Sequence, residues 1–311
     1  MLIFENPIAA EDREPLRDFF ESYEYECSAS SFSSLYMWRD INKFSWEIIG
    51  DYLCIEGLSH LELESGQETH FMMAPMTRTG EYDPASLEET IRLAREKFER
   101  AGHPFTIRLV PEHMLDMMRQ AAPFMEFRED RPNFDYIYET DRLSKFRGRN
   151  LHGKKNHLNY FLKNYQYEIE DIRPEMTDEI MAFIAEFNGR KNIPPEEMRF
   201  LLMEEEAMVD LLRNADTLDM LGCVIRIDGK IEAMAFGGWF GKDTIVEHIE
   251  KANTNYRGLY QLVLSTFCEK AKERARFINR EEDMGLENLR EMKLSYHPYK
   301  LLHKYIGETV R

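Results

Sequence analysis

Apolar positions recur along this chain with two periods, and the switches between them mark its elements. Between Asp83 and Ala101, Leu87, Ile91, Ala94 and Phe98 fall at helical spacing behind Pro84, with Gly102 as a stop, which predicts a helix. The segment from Glu11 to Tyr25 also reads as a helix and leads into a serine-rich, aromatic stretch, CSASSFSSLYMWRD. FSWEIIG, DYLCIEG and ETHFMM read as short strands broken at Gly50-Asp51 and Gly66. FTIRLV reads as a buried strand, EHMLDMMRQ as a short helix and FDYIYET as a further strand.

The second half repeats this style. YQYEIEDI is a predicted strand and MTDEIMAFIAEFNGRK a predicted helix. Pro194-Pro195 opens another helix, with Met198, Leu201, Leu202, Met208, Val209 and Leu212 assigned to one face. CVIRI and KIEAMAFGGWF flank Asp228-Gly229, a strong two-residue hairpin signal. DTIVEHIEK then predicts a strand, and Arg257 to Ala275 a helix with Leu259, Leu262, Val263, Thr266, Phe267 and Ala271 inward. RFINR reads as a strand and GLENLREMKLSY as a helix.

Composition narrows the class. The 311 residues suffice for two ordinary domains, and 43% hydrophobic content supports a substantial core. The net charge of −17 repels nucleic acid and anionic lipid at long range, so contact with a polyanion needs a local basic site. Cys27, Cys54, Cys223 and Cys268 are far apart and fit neither a disulfide framework nor a zinc site. Cys268 lies mid-helix with no cue for activation, and His60, His70, His297 and His303 lack metal-ligand spacing, so no metal is expected. The N-terminus lacks the pattern of a signal peptide, and no apolar run approaches the roughly 18–20 residues of a membrane span. A cytoplasmic protein is expected.

The window from Arg142 to Lys163 reverses the charge. It holds Arg142, Lys145, Arg147, Arg149, Lys154, Lys155 and Lys163, with His152 and His157, and no acid. Several cations near a helix that starts about Lys154 suit a phosphate or carboxylate; a solvated helix face is the plainer alternative. Arg147, Arg149, Lys154, Lys155 and His157 are the candidate anion ligands. GRNLHGKK nearly matches a P-loop but has Lys155 where a magnesium-binding hydroxyl would stand, which argues against a nucleoside triphosphatase. A second anion cradle is the polar turn between TIVEHIEK and the helix near Arg257. Its main-chain N–H groups lie at a helix start, Arg257 adds a cation and Gly258 lets a ligand approach.

The order of elements in the second half resembles the GCN5-related N-acetyltransferase (GNAT) fold. Asn255-Tyr256-Arg257-Gly258-Leu259-Tyr260 stands where that family has Q/R-x-x-G-x-G/A; Gly258 matches, and Tyr260 replaces a small residue. EHIEKANTNYRGLYQ and FINREEDMGLENLREMKLSYHP together resemble the soluble C-terminal domain of phosphatidylglycerol lysyltransferases and its stand-alone relatives. FRGRNLHGKKNHLNYF and SSFSSLYMWR resemble further stretches of that family, so the likeness spans nearly the whole chain. The resemblance implies an α/β (α+β) chain of two tandem GNAT-like modules, related to Fem-type aminoacyltransferases, each a mixed sheet flanked by helices. The expected division is 1–141, a degenerate module without the polar turn, and 142–311, a second module preceded by the basic helix.

The GNAT resemblance implies acyl transfer from a coenzyme A thioester to an amine; the lysyltransferases instead move an aminoacyl group from tRNA to a lipid, which the acidic balance and the lack of a membrane span disfavour here. The alternatives are an aminoacyl-tRNA-dependent transferase and a non-catalytic protein that binds a phosphorylated ligand. A small acyl donor and an amine acceptor are the expected partners, with tRNA disfavoured by the net charge. Expected contacts for coenzyme A are Lys251, Ala252, Asn253, Asn255, Arg257, Gly258, Leu259, Tyr260 and Lys293. Such transfer needs a base for the amine and an acid for the leaving group. Glu250 and Glu282 are the leading candidate bases, with Glu247, Glu281 and Asp283 beside them, although Glu281, Glu282 and Asp283 also suit a charge cluster at a helix N-terminus. Tyr296 is the candidate acid, with a buried, hydrogen-bonded core tyrosine as the alternative. Asn279 and Arg280 end a strand beside the expected cleft.

Overall fold

The computed structural model describes residues 2–21, 27–59, 69–189 and 195–310, with the side chains of 195–200 left aside. By internal contacts the chain groups into two compact units. One comprises Met1–Asp135, Glu282–Gly285 and Leu302–Arg311, and the other comprises Tyr136–Glu281 and Leu286–Leu301. The sequence had assigned all of 142–311 to one module; the contacts instead place 282–285 and 302–311 with the first unit.

Among the described residues, each unit holds one mixed sheet. In the first, Ser45–Ile49, Tyr52–Ser59 and Thr69–Met73 are strands, as the three short runs predict, and they pair antiparallel. Thr106–Pro111 adds in parallel to Thr69–Met73. Helix Pro84–Arg100 starts from the cap of Asp83, whose carboxylate accepts Ser86 N–H at 2.8 Å, and buries Leu87, Ile91, Ala94 and Phe98. The helix expected over 11–25 is a 3₁₀ turn, Ala10–Asp12, and a short helix, Arg17–Glu21, while 22–26 lie outside the described residues. The serine-rich stretch instead contains helix Phe32–Asn42, capped by Ser31 Oγ accepting Ser34 N–H at 3.1 Å. Gly66 and His60 also lie outside the described residues.

The last strand, Lys304–Thr309, was not predicted. It sits inside the first unit's sheet, antiparallel to both Thr106–Pro111 and Met125–Glu129. A buried ion pair fixes its start: Lys304 Nζ lies 2.7 Å from Asp135 Oδ1, and the side chains are 1% and 0% exposed. Ser28 donates to the same carboxylate from its N–H, at 2.7 Å, and from its hydroxyl, at 2.9 Å. Burial disfavours the ammonium, but Asp135, Cys27 and Glu282 together outweigh it and hold the Lys304 pKa above its usual value.

In the second unit the hairpin forms as predicted. Asp228 and Gly229 have φ of 51° and 79°, the left-handed pair of a type I′ turn, between Met220–Ile227 and Lys230–Phe240. The sheet continues antiparallel to Thr244–Ala252, then parallel to Phe277–Asn279, which pairs with Asp135–Glu139. Helix Leu259–Ala271 packs on this sheet and buries Leu259, Leu262, Val263, Phe267 and Ala271. Helix Pro195–Arg213 buries Met208, Leu211 and Leu212 but leaves Leu202 exposed, against expectation; Pro194 and the Met198 side chain lie outside the described residues. The second unit is therefore the strand, helix, helix, hairpin, strand, turn, helix, strand, helix order of the GNAT resemblance, and the tandem mixed-sheet class holds for the chain.

Asp135→Ala should destabilise the protein by about 3–5 kcal/mol, because Lys304 is left charged and buried without a partner. Denaturant unfolding measures this, and a loss under about 1 kcal/mol would show that the pair carries little of the stability.

Candidate functional site

The site grows from an irregularity in the strand Thr244–Ala252. Its register against Lys230–Phe240 pairs Gly237 with Glu247 but Phe236 with Ile249, so His248 is one residue too many, a β-bulge. A Cβ on Gly237 would stand 2.1 Å from the Val246 carbonyl oxygen, so glycine admits the close approach of the strands here. Strict alternation would turn Glu247 and Glu250 to opposite faces. With the extra residue they oppose Gly237 and Ala235, two positions apart, and share a face. Parallel pairing with Phe277–Asn279 stops at Val246↔Asn279. The next residue, Arg280, sends its guanidinium to both carboxylates.

Arg280 Nε donates to Glu247 Oε2 at 2.5 Å, and a terminal nitrogen donates to Glu250 Oε2. The guanidinium is 5.2 Å from the centroid of the Tyr296 ring and 5.9 Å from that of Tyr138. Lys293 Nζ donates to the Arg280 carbonyl, and Tyr138 donates to the Lys293 carbonyl at 2.8 Å. Two carboxylates thus share one guanidinium away from water. Burial raises the Glu250 pKa, Arg280 opposes the rise and the Glu247 charge adds to it. Glu247 Oε1 and one terminal nitrogen of Arg280 are buried and have no hydrogen-bond partner among the described residues.

Tyr296 joins this core to the surface. Burial raises its pKa to about 12, with the Glu250 charge adding, so it holds its proton at neutral pH. Gln261 Nε2 donates to its hydroxyl at 3.0 Å. Lys154 Nζ stands 3.9 Å from its ring centroid and donates to Ser295 Oγ at 2.7 Å. Burial, then Arg280, lower the Lys154 pKa. Lys154 and Gln261, with Asn150, Gly153 and His157, line a cleft of about 270 Å³. Arg257 Nε donates to His157 Nδ1 at 3.4 Å and stacks 4.6 Å over Tyr160. The helix His152–Asn164 therefore brings part of the predicted basic window to one place.

Other predicted residues are otherwise engaged. Gly258 has φ 92°, but a Cβ there would lie 2.1 Å from the His157 carbonyl oxygen. Its bareness admits the neighbouring helix, where the sequence suggested the approach of a ligand. Asn253 holds the turn together, donating to Glu232 Oε2 at 2.7 Å and accepting Asn255 N–H at 3.1 Å. The Tyr256 and Leu259 N–H groups are likewise bonded inside the turn. Ala252 and Leu259 are core. Tyr260, in place of a small residue, is partly buried in that core, and burial raises its pKa to about 12. Lys251 turns away from Glu250 and meets Glu204 at 2.8 Å. Lys293 is buried, and its ammonium donates to the Arg280 carbonyl. Asn279 accepts Glu281 N–H at 2.8 Å. Arg147 pairs with Asp141, and Arg149 and Lys155 are exposed. Glu282 groups with the first unit, where its charge acts on Lys304. Gln261, Tyr138 and His248 were not singled out by the sequence. Gln261 stands in the resembling G-L-Y-Q run, which could have flagged it; a bulge leaves no such signal.

These features define a tandem mixed-sheet protein whose second unit carries a buried arginine–carboxylate node beneath a cationic cleft. The family model described as phosphatidylglycerol lysyltransferase, C-terminal, matches residues 20–307, and the chain belongs to that family. A conserved protein of unknown function from Bacteroides thetaiotaomicron VPI-5482 is 29% identical, with all of both chains covered and a TM-score of 0.89. The structure of L-PGS from Bacillus licheniformis shares the fold at 13% identity, covering 99% of this chain and 94% of that one, with a TM-score of 0.68. An uncharacterised protein of Mycoplasmoides gallisepticum is 24% identical over 183 residues, 57% of this chain and 56% of that protein. The match thus spans little more than half the length of that relative. Among the described residues, no helix is long and apolar enough to cross a membrane.

Gly258→Ala should destabilise the protein by roughly 1–3 kcal/mol, since the new methyl meets main chain at a left-handed φ. A melting temperature equal to that of the wild type would sink the close-packing assignment. Glu250 has a higher pKa folded than unfolded, so the folded state holds its proton more tightly. Its contribution to stability is greatest at acid pH and is lost as pH rises from the ordinary carboxylate value of 4.5 into the neutral range. The stability of Glu250→Gln relative to wild type should therefore increase between about pH 5 and pH 8; a constant difference in denaturant unfolding would contradict the shift.

Proposed function

We propose that the second unit transfers an acyl or aminoacyl group from a phosphate-bearing donor to an amine. One observation carries the reading. Tyr296 contacts Lys154 and Gln261 of the cationic cleft and the Arg280 guanidinium of the node, which supports reading the two as one site. Family membership supports a transferase of this broad kind.

In this reading Lys154, His157 and Arg257 hold the donor's phosphate, as charge-assisted donors do. Glu250 in its ionised form takes a proton from the substrate's ammonium group, the neutral amine attacks the acyl carbon, and the second proton that its nitrogen sheds passes to the tyrosinate left when Tyr296 has protonated the leaving group. The bond to the leaving group breaks, and Tyr296, still protonated at neutral pH, gives that group its proton. Main-chain N–H groups of the strand beyond Val246, where parallel pairing has ended, would polarise the carbonyl in this reading.

Coenzyme A fits less well than the sequence suggested. The His157 carbonyl packs against Gly258, so the approach expected there for a diphosphate is taken up by the helix, and no step is assigned to it. That observation favours a second donor, an aminoacyl ester of tRNA, whose terminal phosphates would need only the cleft.

Thermal-shift titration separates the donors: saturable stabilisation by coenzyme A supports a thioester, and salt-dependent stabilisation by tRNA supports the ester. Neither response, from a folded protein, would remove the transferase reading. Tyr296→Phe should lower kcat by about 100-fold with KM nearly unchanged, and Lys154→Glu should raise KM for the donor. Full activity in Tyr296→Phe would take the acid role from that residue.

A further inference from the structure

Next to the Arg280 node lies a pair of side chains that the proposed chemistry does not use. His248, the extra residue of the bulge, has a fully buried side chain, and its Nδ1 is 2.8 Å from Glu281 Oε1. Glu281 has a φ of 56°, a left-handed backbone that a glutamate adopts only when its surroundings require it. Those surroundings are visible: Asn279 Oδ1 accepts its N–H at 2.8 Å, and its carbonyl accepts Tyr136 N–H at 3.2 Å. The Arg280 N–H in turn donates to the Tyr136 carbonyl at 3.0 Å.

The two side-chain contacts run in step. Consecutive residues of one strand, Glu247 and His248, bond consecutive residues leaving its neighbour, Arg280 and Glu281. They do so immediately past Val246↔Asn279, where main-chain pairing between these strands ends. Side chains take over there from the backbone ladder. A bulge alone leaves its strand free to shift locally, and Arg280 can meet both carboxylates only while the bulge and the left-handed Glu281 stay aligned.

We propose that His248 and Glu281 are a positioning pair that locks the bulge to the end of strand Phe277–Asn279 and so holds Arg280 in register with Glu247 and Glu250. The kinetic part of the test rests on the transferase reading; the exchange part does not.

The reporter is the Arg280 Nε–H, which donates to Glu247 and gives its own signal in a ¹⁵N-correlated spectrum of the full-length protein. Glu281→Ala and His248→Ala should speed its hydrogen exchange by about tenfold or more, while amides of helix Pro84–Arg100 in the first unit keep theirs. Glu281→Gln keeps the acceptor oxygen and should restore protection to near the wild-type rate. Because His248 is buried and its alanine variant risks not folding, the partly exposed Glu281 decides the question. Unchanged Arg280 exchange in folded Glu281→Ala overturns the proposal, and so does failure of Glu281→Gln to rescue it. With a donor that the wild-type protein turns over, Glu281→Ala should lower kcat by roughly tenfold and leave KM within about twofold, since a misaligned group slows the reaction more than it weakens binding. A wild-type protein that binds and transfers nothing would remove the transferase reading, while the exchange comparison would still judge the pair.

Discussion

Taking a guanidinium out of water costs several kcal/mol unless anions and hydrogen bonds surround it. Arg280 is 5% exposed and meets that cost with two carboxylates, Glu247 and Glu250, flanked by the rings of Tyr138 and Tyr296. Much of the second unit's interior is arranged around this contact. Lys293 is buried to bond the Arg280 carbonyl, and Tyr138 is placed to bond that of Lys293. Burial, with the Glu247 charge adding and Arg280 opposing, is what leaves Glu250 inclined to keep a proton. A carboxyl poised in this way can exchange protons near neutrality, which an exposed glutamate cannot do as effectively.

The node is reached from the surface through Tyr296. Its ring carries Lys154 on the cleft side and the Arg280 guanidinium at a greater distance, so two cations act on one aromatic face system. Gln261 anchors the hydroxyl. The helix His152–Asn164 contributes Lys154 and His157 because its His157 carbonyl seats against Gly258, where any side chain would collide. Glycine in the turn thus sets the position of the cationic cleft indirectly, by letting two helices approach. Membership of the lysyltransferase C-terminal family and the fold shared with L-PGS are compatible with several donors, since activity follows the site and not the fold.

Much of the architecture was readable because it rests on local signals. Pro84 and Gly102 bracket a helix, Asp228-Gly229 forces a left-handed turn, and alternating apolar residues mark the strands. Helix Phe32–Asn42 escaped because serines and aromatics, weak helix formers, occupy it; its stability comes from the Ser31 cap and from burial of Phe32, Leu35, Tyr36 and Met37. Strand Lys304–Thr309 escaped for a different reason. Its lysine reads as a surface residue, and only the distant Asp135 and Ser28 make it an interior one.

The residue order alone settled which chemistry the chain possesses: the run of cations from Arg142 to Lys163 in an acidic protein, the acids and arginine of NREED, and Tyr296 at the end of a helix. Those are properties of composition and near-neighbour spacing, and no folding is needed to see them. Which of these groups meet depended on contacts between residues far apart in the chain. One surplus residue at His248 brings Glu247 and Glu250 to one face, a carbonyl at His157 closes the turn at Gly258, and Lys154 finds Tyr296 across 142 positions of sequence (296 − 154). Such pairings are set by packing of whole elements, where a shift of one residue reverses the direction of a side chain, and no local pattern encodes that shift.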